Sequence, residues 1–475
     1  MPAKGRFPHR PLNDGGLETT APCKSVVRPS ETAATAALQL LASASRCLVQ
    51  IAIIGGGAAG FFAAIACARA NPENEISIFE RGSEFLTKVR ISGGGRCNVT
   101  HACFDPRTLS EHYPRGERAL ISPLHRFSPS DTVAWFEAHG VRLKTEADGR
   151  MFPVTDSSHT IIDCLLDEAK AAGVRLFARR GIEGAVLRAG GGFELIMGRH
   201  GGTGSVSSHT SAGGREIISC DRLLLATGGP RSVAGAQIAQ SLGHTIVPPV
   251  PSLFSLHVST PWLRPLPGVS IPDVEISVPD TRLRERGPIL ITHNGVSGPA
   301  VLRLSAWGAR VLHGLDYRFV LRVNWLPDST EETLRVLLES LRQSNPNRHV
   351  INSPLPPLPA RLWERLALAA GIDRETRWTT LSRAKARELV FILTHTKLEV
   401  NGKSLNKDEF VTCGGVSLRE INFKTMESRI TPGLYFAGEL LDLDGVTGGF
   451  NFQAAWTTGW IAGHAMADRE PALPE

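Results

Sequence analysis

Cysteine is scarce in this sequence, and no two cysteines are closely spaced. Eight cysteines occur among 475 residues, and none of them forms a Cys-x-x-Cys pair. The disulfide framework of a small secreted domain is therefore excluded, and no zinc-binding spacing is present. We expect no metal site and a reducing, cytoplasmic environment.

Positive residues outnumber negative residues only slightly. The 52 lysines and arginines outnumber the 46 acidic residues by six, and they are spread along the whole chain. A dedicated nucleic-acid-binding protein instead carries its basic residues clustered on one face. We therefore expect a small-molecule substrate and no nucleic-acid partner.

Long hydrophobic runs are also lacking. The uncharged stretch 51–68 is broken by three consecutive glycines at 55–57, which favours a strand, a turn and a helix over a membrane span. Residues 32–45 are rich in alanine and leucine but lack the compact basic flank of a secretory signal. We expect no membrane partner. We predict a disordered extension over residues 1–47, with a transit peptide or a misassigned start codon as the alternatives.

A glycine fingerprint follows the first apolar run. Gly55, Gly57 and Gly60 form a G-x-G-x-x-G pattern before an alanine-rich helical segment. Such glycines allow a tight turn, close approach of the backbone to a pyrophosphate and close helix–strand packing, while the helix start offers free N–H groups to phosphate. Glu80 ends the next apolar run, where a carboxylate can accept hydrogen bonds from ribose hydroxyls. The combination predicts a dinucleotide-binding βαβ unit. Arg81 either contacts the nucleotide or is solvated.

A second glycine-rich segment spans residues 92–98 and is predicted to be a loop. Its backbone N–H groups can approach a phosphate or a flavin ring, with Ser92 and Asn98 as polar contacts, although a flexible surface loop is the alternative. Cys97 lies beside Arg96, which would favour a thiolate and a redox role. A buried packing thiol is the alternative for Cys97.

Several separated motifs resemble those of the BaiN/RdsA family of FAD-dependent oxidoreductases, also called aminoacetone-oxidase-like flavoproteins. The resemblance covers about residues 49–467. The motifs are IAIIGGGAAG at 51–60, RISGGGRCNVT at 90–100, DGRMFPV at 148–154, LLLATGG at 223–229, ITHNGVSGPA at 291–300, VTCGGVSL at 411–418 and LYFAGELLDLDGVTGGFNFQAAWTTG at 434–459. The resemblance implies FAD as the cofactor.

The resemblance also implies where FAD is contacted. Glu439 is expected near the ribityl or pyrophosphate part, Thr227 and Gly228 in a loop approaching FAD, and Val186 as a backbone contact to adenine. Residues 448–453 open the last helix, whose N-terminus would stabilise reduced flavin at its N1 and O2 edge. The predicted cofactor-binding residues are Gly55, Gly57, Ala58, Ala59, Gly60, Glu80, Arg81, Arg90, Ser92, Gly93, Arg96, Asn98, Val186, Thr227, Gly228, Gly438, Glu439, Gly448, Gly449, Asn451, Phe452 and Gln453.

Two residues are candidates for catalysis. His293 lies in a predicted turn of an inserted domain and could act as an acid or a base over the flavin. A hydrogen-bonded turn histidine without a catalytic role is the alternative. Cys97 is the second candidate.

The predicted fold is α/β, with a doubly wound Rossmann-like FAD-binding domain built from residues 48–248 and 396–475. A β-rich domain over 249–329 and a helical subdomain over 330–395 are predicted as insertions. Glycine, serine and threonine are dense over residues 190–214, which predicts a mobile hairpin loop.

The predicted function is hydride transfer between flavin N5 and a small or hydrophobic substrate, with NAD(P)H or oxygen as the second partner. A single G-x-G-x-x-G pattern argues against a second Rossmann domain dedicated to NAD(P)H. The alternatives are a non-catalytic or sensing flavoprotein, a fumarate-reductase-like flavoprotein and a flavin-dependent RNA-modifying enzyme.

Overall fold

The computed structural model describes residues 48–198, 208–210, 216–229, 233–404 and 411–468. The extension predicted over 1–47 and part of the loop predicted over 190–214 lie outside these ranges. The strands, in chain order, are β1 Gln50–Ile54, β2 Glu75–Phe79, β3 Thr100–His101, β4 Leu143–Thr145, β5 Arg150–Pro153, β6 Arg175–Phe177, β7 Ile182–Leu187, β8 Phe193–Met197, β9 Ser208–Thr210, β10 Glu216–Cys220, β11 Arg222–Leu225, β12 Ile246–Ser252, β13 Ser255–Val258, β14 Ser270–Ser277, β15 Arg284–Thr292, β16 Gly295–Ser297, β17 Phe319–Asn324, β18 Thr396–Ser404, β19 Val411–Val416, β20 Ile421–Asn422, β21 Glu427–Ser428 and β22 Leu434–Phe436.

The helices in the same ranges are α1 Ala58–Ala70, α2 Thr87–Gly95, α3 Pro106–Ser110, α4 Glu117–Arg126, α5 Pro129–Ala138, α6 Ser158–Ala171, α7 Val233–Ser241, α8 Pro299–Trp307, α9 Ala309–Gly314, α10 Glu331–Ser344, α11 Ala360–Ala369, α12 Arg383–His395 and α13 Phe450–Ala467. None of these described helices combines the length and the apolar character that crossing a bilayer requires.

A seven-stranded sheet forms the nucleotide-binding part, with the strand order β20-β21-β22-β11-β1-β2-β6. Strand β1 runs parallel to β11 and to β2, so that Ile54 lies opposite both Leu225 and Phe79. These strands are buried and nearly continuously apolar, as expected for a parallel sheet that is covered on both faces. The predicted doubly wound α/β fold is confirmed.

Helices α1 and α13 pack closely against each other, although they come from opposite ends of the described chain. A Cβ atom at Gly459 would lie 2.5 Å from the carbonyl oxygen of Ala59, and one at Gly463 would lie 2.4 Å from that of Ala63. Glycine is therefore required where the two backbones meet. The contact joins the C-terminal segment to the first βαβ unit.

The insertion forms a closed barrel with the strand order β13-β16-β15-β14-β17-β18. Helices α10, α11 and α12 lie between β17 and β18 in the chain and share the core of the barrel. Trp325, Trp363 and Trp378 are fully buried in this one core. The Trp325 indole N–H donates a 2.7 Å hydrogen bond to the Thr396 hydroxyl of β18.

The predicted boundary at residue 396 is wrong, because β18 closes the barrel and does not belong to the FAD-binding part. Burial alternates along Thr396–Val400. Such alternation is typical of an antiparallel strand with one wet face, whereas the strands of the parallel sheet are buried on both faces. The helices 330–395 likewise have no core of their own in the described structure.

A buried ion pair orients an arginine that contacts both parts of the structure. Arg115, in the nucleotide-binding part, donates through two guanidinium nitrogens to Asp444, which is fully buried. The same guanidinium donates to the Ser252 hydroxyl of β12 and to the carbonyl of Ala306, which lies in the last turn of helix α8 in the insertion. Removing either charge would leave the other buried and unpaired. The pair therefore orients Arg115, whose hydrogen bond to the Ala306 carbonyl joins the nucleotide-binding part to the insertion.

Replacing Gly463 by alanine tests the contact between α1 and α13. Gly→Ala inside a helix normally stabilises by roughly 0.5–1 kcal/mol. Here we expect a net destabilisation of about 1–3 kcal/mol, because the helices must move apart. Thermal unfolding of the flavin-loaded protein would measure it. Gly314→Ala in α9 is the matched control, since its Cβ would meet no atom within 4 Å. A melting temperature for Gly463→Ala at or above that of the parent would contradict the close packing.

Candidate cofactor-binding site

The turn between β1 and α1 leaves open space in front of the helix. Gly55 has φ of 114°, and a Cβ atom there would lie 2.3 Å from the Ala226 carbonyl oxygen. A Cβ at Gly60 would lie 2.1 Å from the Gly55 carbonyl oxygen. These two glycines are needed by the turn itself. A Cβ at Gly57, in contrast, would meet nothing within 4 Å.

The start of α1 is suited to an anion. Within the described chain, no side chain caps this helix and its first turn carries no acidic residue. Phe61 N–H donates to the Gly57 carbonyl, so the N–H groups of Ala58, Ala59 and Gly60 precede the first hydrogen bond of the helix and have no acceptor within it. Three such donors and the helix dipole favour a phosphate at this position. The open space beside Gly57 fits the close approach of a pyrophosphate.

Glu80 is held rigidly at the end of β2. One carboxylate oxygen accepts from Gly56 N–H at 2.9 Å, and the other accepts from Gly82 N–H at 2.6 Å. Each oxygen has lone-pair capacity left for a ribose hydroxyl. Arg81 is exposed, and its aliphatic stem packs near Gly181.

The predicted loop over residues 92–98 is confirmed, because the helical backbone of α2 ends before Ser92. The backbone is non-helical at Ser92, Gly93 and Gly94, and φ is also positive at Gly95, at 85°, and at Cys97, at 62°. A Cβ at Gly93 would lie 2.8 Å from the Phe152 ring, whereas Cβ atoms at Gly94 and Gly95 would meet nothing within 4 Å. The glycines thus end the helix and leave a second open edge.

Two arginines of this segment are engaged with carboxylates. Arg96 pairs with Glu146 at 2.6 Å, and Arg90 lies 3.4 Å from Glu84. The Arg90 Nε atom is buried and has no partner among the described residues. A buried donor without an acceptor is costly, so a bound ligand would be stabilised there.

The expectation of a Cys97 thiolate is wrong. Cys97 is fully buried, and burial raises the pKa of its thiol to about 12. The Arg96 guanidinium points at Glu146 and does not offset this desolvation. Cys97 is therefore a neutral packing thiol at physiological pH.

The start of α13 is fixed by Asn98. Gly449 has φ of 97°, and a Cβ atom there would lie 2.4 Å from the Thr100 carbonyl oxygen. With its amide oriented to suit these neighbours, Asn98 accepts from Gly449 N–H at 2.9 Å and donates to the Thr100 carbonyl at 3.1 Å. A Cβ at Gly448 would lie 2.6 Å from the Phe450 ring. Asn98 and both glycines therefore set the direction of the helix start.

The polar side chains inside the first turn of α13 are occupied within the protein. Asn451 accepts from Gly445 N–H at 2.8 Å and donates back to the Gly445 carbonyl at 2.9 Å. Gln453 is fully buried and accepts from the hydroxyls of Thr100 at 2.6 Å and Thr132 at 3.0 Å. These two side chains therefore help to position the start of the helix. Phe452 stacks on Trp456, with 5.6 Å between the ring centroids.

A third group of residues lies after β11 and β22, which are neighbours in the sheet. Glu439 accepts from Thr412 N–H at 2.9 Å and pairs with the Lys88 ammonium at 2.5 Å. A Cβ at Gly228 would have Lys88 Nζ, at 4.0 Å, as its nearest neighbour. The Thr227 hydroxyl is buried and has no partner among the described residues. Lys88 therefore reaches across the open side of this edge.

Sequence reasoning missed Lys88. Lys88 lies one helical turn before Ser92, and this spacing could have suggested that it contacts the cofactor. A single lysine on a helix is usually solvated, however, so the spacing alone is weak evidence. Gly438, a predicted cofactor-binding residue, follows β22. A Cβ atom at this position would lie 3.0 Å from the Ala59 Cβ of α1.

Two predicted residues belong to other sheets. Val186 lies in β7 of a four-stranded sheet with the order β7-β8-β10-β9, and its side chain is exposed. His293 is exposed in the turn between β15 and β16 of the barrel. The structure thus groups the predicted residues around β1, β11 and β22, with Val186 and His293 in separate sheets.

Known proteins resemble this chain over most of its length. The chain matches the model of the HI0933-like protein Rossmann domain over residues 49–465. It is 32% identical over 417 residues to a ribosomal RNA dihydrouridine synthase of Escherichia coli, covering 86% of this chain and 95% of that protein. It is 29% identical over 430 residues to a 3-dehydro-bile acid delta(4,6)-reductase of Clostridium scindens, covering 88% and 99%.

Among solved structures, the chain is similar to a 3-ketosteroid-delta4-(5alpha)-dehydrogenase from Rhodococcus jostii. The sequence identity is 14% and the TM-score is 0.46, with 90% of this chain and 99% of that chain covered.

Replacing Gly57 by valine separates cofactor binding from folding. The added side chain enters open space, so we expect a folded protein with an unchanged melting temperature in its flavin-free form. It would occupy the pyrophosphate position, so bound FAD should be lost. The visible spectrum and the released FAD would be measured. Gly190→Val, another position where a Cβ meets nothing within 4 Å, is the control and should retain FAD. A yellow Gly57→Val protein would count against the assignment.

Replacing Lys88 by methionine tests its role toward the cofactor. We expect FAD to bind about tenfold to a hundredfold more weakly, because a hydrogen bond to a charged group is worth about 1.5–3 kcal/mol. Lys88→Arg keeps the charge and should bind FAD nearly as the parent does. Titration of the flavin-free proteins with FAD, followed by flavin fluorescence, gives the dissociation constants. Equal affinity of the parent and Lys88→Met would refute the role.

Proposed function

Because the chain belongs to the HI0933-like protein Rossmann domain family and is an FAD-dependent oxidoreductase, we propose that it reduces a carbon–carbon double bond conjugated to a carbonyl group. The observation that carries the proposal is the chemistry shared by two relatives that match nearly the whole described chain. One is named for making dihydrouridine, in which the uracil C5–C6 bond is saturated. The other is named for reducing delta-4,6 bonds of a 3-dehydro compound.

Both names describe a double bond in conjugation with a carbonyl. Conjugation makes the carbon remote from the carbonyl electrophilic, so a hydride adds there and a proton adds to the carbon beside the carbonyl. FAD, when bound, supplies a hydride carrier at N5. With NAD(P)H as the proposed donor, each double bond consumes one NAD(P)H and one proton and releases one NAD(P)⁺.

The protein contributes binding and electrostatics to this reaction. The N–H groups at the start of α1 and the ammonium of Lys88 would hold the anionic diphosphate. The start of α13 presents further N–H groups, which favour the added negative charge of a reduced flavin. Cys97 supplies no thiolate, since burial raises the pKa of its thiol to about 12. The exposed His293 is the candidate proton donor on the barrel.

Anaerobic titration tests the proposal. We expect NADH or NADPH to bleach the flavin absorption band, and we expect 2-cyclohexenone, a simple conjugated enone, to restore it without oxygen. Cyclohexanone, which lacks the double bond, is the matched control and should leave the band bleached. Free FAD under the same conditions corrects for direct reaction.

Two results would contradict the proposal. One is a flavin that neither nucleotide reduces. The other is a reduced flavin that reacts with oxygen but with no conjugated substrate, including uridine.

A further inference from the structure

A histidine that sequence reasoning did not single out packs against the start of α13. His101 is the second residue of β3, and a Cβ atom at Gly448 would lie 3.5 Å from its Cδ2 atom. Its ring also stacks on the ring of Phe450, the first residue of α13, with 4.7 Å between the centroids and 22° between the planes. His101 therefore contacts the helix start at which the flavin ring is expected.

The turn between β4 and β5 holds the His101 ring from another side. Gly149 in this turn has φ of 83°, and a Cβ atom there would lie 2.5 Å from the His101 Cε1 atom. The Asp148 carbonyl oxygen of the same turn lies 3.1 Å from His101 Nε2. The backbone is joined as well, since Ala102 N–H donates to the Gly149 carbonyl at 2.8 Å. The imidazole is therefore held between this turn and the start of α13.

These contacts assign the proton of the neutral ring. A carbonyl oxygen only accepts, so Nε2 carries the hydrogen that is donated to the Asp148 carbonyl, and Nδ1 has a lone pair. The Nδ1 atom is buried and has no hydrogen-bond partner among the described residues. Burial lowers the pKa of the His101 imidazole, and the bond to the Asp148 carbonyl offsets only part of this effect. His101 is therefore neutral at physiological pH, with one ring nitrogen that can take up a proton.

The charged and titratable groups around His101 come from β5, the turn before it and the connection between α3 and α4. Arg150 lies opposite His101 in the pairing of β3 with β5. It pairs with the carboxylates of Asp148 at 2.8 Å and Glu146 at 3.0 Å. The ring of His112, between α3 and α4, has its centroid 6.1 Å from that of His101. The carboxylates beside His101 are thus already paired with an arginine.

Reduction of a bound flavin would change the charge beside this ring. A reduced flavin carries added negative charge at its N1 and O2 edge, which is expected at the start of α13. An opposite charge within about 4–6 Å favours the charged form of a titratable group. Because His101 contacts the Gly448 turn, such a charge would favour the imidazolium and oppose the effect of burial.

We propose that His101 takes up a proton from water when the bound flavin receives a hydride and returns it to water when the hydride leaves. This inference deepens the proposed function and rests on its flavin site. The hydride brings both electrons, and the proton binds the lone pair of His101 Nδ1, so the imidazole is neither oxidised nor reduced. With NAD(P)H as the donor, one NAD(P)H and one proton are consumed and one NAD(P)⁺ is released. His101 is thus a positioning residue that balances the charge of the reduced cofactor.

The pH dependence of the flavin midpoint potential tests the proposal. It is measured anaerobically on the FAD-loaded proteins against a reference dye, between about pH 5 and pH 8, where histidine titrates. Each proton taken up with two electrons changes the potential by about 30 mV per pH unit. Between the imidazole pKa values of the oxidised and reduced proteins, the parent potential should fall more steeply than that of His101→Gln, by up to about 30 mV per pH unit. At the acid end the parent should have the higher potential, because the bound proton stabilises the reduced state.

The variants are chosen to separate titration from packing. The amide of His101→Gln can donate to the Asp148 carbonyl as Nε2 does, but it does not titrate. His101→Asn is the second variant and should give the same shallower slope. The matched control is His125→Gln, which removes an exposed histidine of α4 and should reproduce the parent curve.

Three results would overturn the role of His101. One is a set of parallel curves for the parent and the His101 variants. Another is an equal loss of slope in His125→Gln. The third needs no variant, and it is a parent slope of about 30 mV per pH unit over the whole range, which corresponds to a single proton.

Reoxidation of the reduced flavin by 2-cyclohexenone is measured on the same proteins. Failure of this reaction in a parent that keeps the steeper slope would overturn the proposed reductase and leave the role of His101 standing. Parallel curves together with normal reoxidation would overturn the role of His101 and leave the reductase standing. A parent that binds no FAD would overturn both.

Discussion

Three parallel strands, β22, β11 and β1, end side by side at one edge of the central sheet, and the cofactor site depends on this constraint. Each strand must be followed by a turn that leaves the edge open, and glycine follows each of them. Where the turn contacts its neighbours, as at Gly55, a side chain is excluded by nearby backbone. Where it faces outward, as at Gly57 and Gly228, the space is open. The same edge therefore offers helix-start N–H groups, a fixed carboxylate at Glu80 and the cation of Lys88 to one extended anionic cofactor.

The remainder of the molecule holds this edge in place. The close contact of α1 with α13 means that the phosphate end and the flavin end of the site are set by one pair of helices. The amides of Asn451 and Gln453 then fix the start of α13 through bonds to the protein itself. Asp444 orients Arg115 through a buried ion pair within this frame, and Arg115 in turn donates to the Ala306 carbonyl of the insertion. An ion pair that is buried constrains geometry more than it stabilises, since desolvation offsets much of the attraction.

Local signals predicted the first βαβ unit well, because a glycine turn, an apolar strand and an alanine-rich helix each follow from neighbouring residues. The glycine-rich loop over residues 92–98 was also predicted from its own residues, and the backbone there is non-helical. The predictions failed where distant residues decide the outcome. Asn451 and Gln453 were predicted to contact the cofactor. Only the fold shows that their side chains form hydrogen bonds within the protein. Cys97 looked activated by its neighbour, yet burial determines its pKa. The boundary at 396 failed because barrel closure is a non-local property of β18.

The most direct test of the account is a crystal structure of the chain purified with FAD. The account predicts the diphosphate against the N–H groups of Ala58, Ala59 and Gly60, a ribose on Glu80 and the flavin ring beside the start of α13. An FAD molecule bound away from this edge of the sheet, or a protein that takes up no FAD at all, would contradict it.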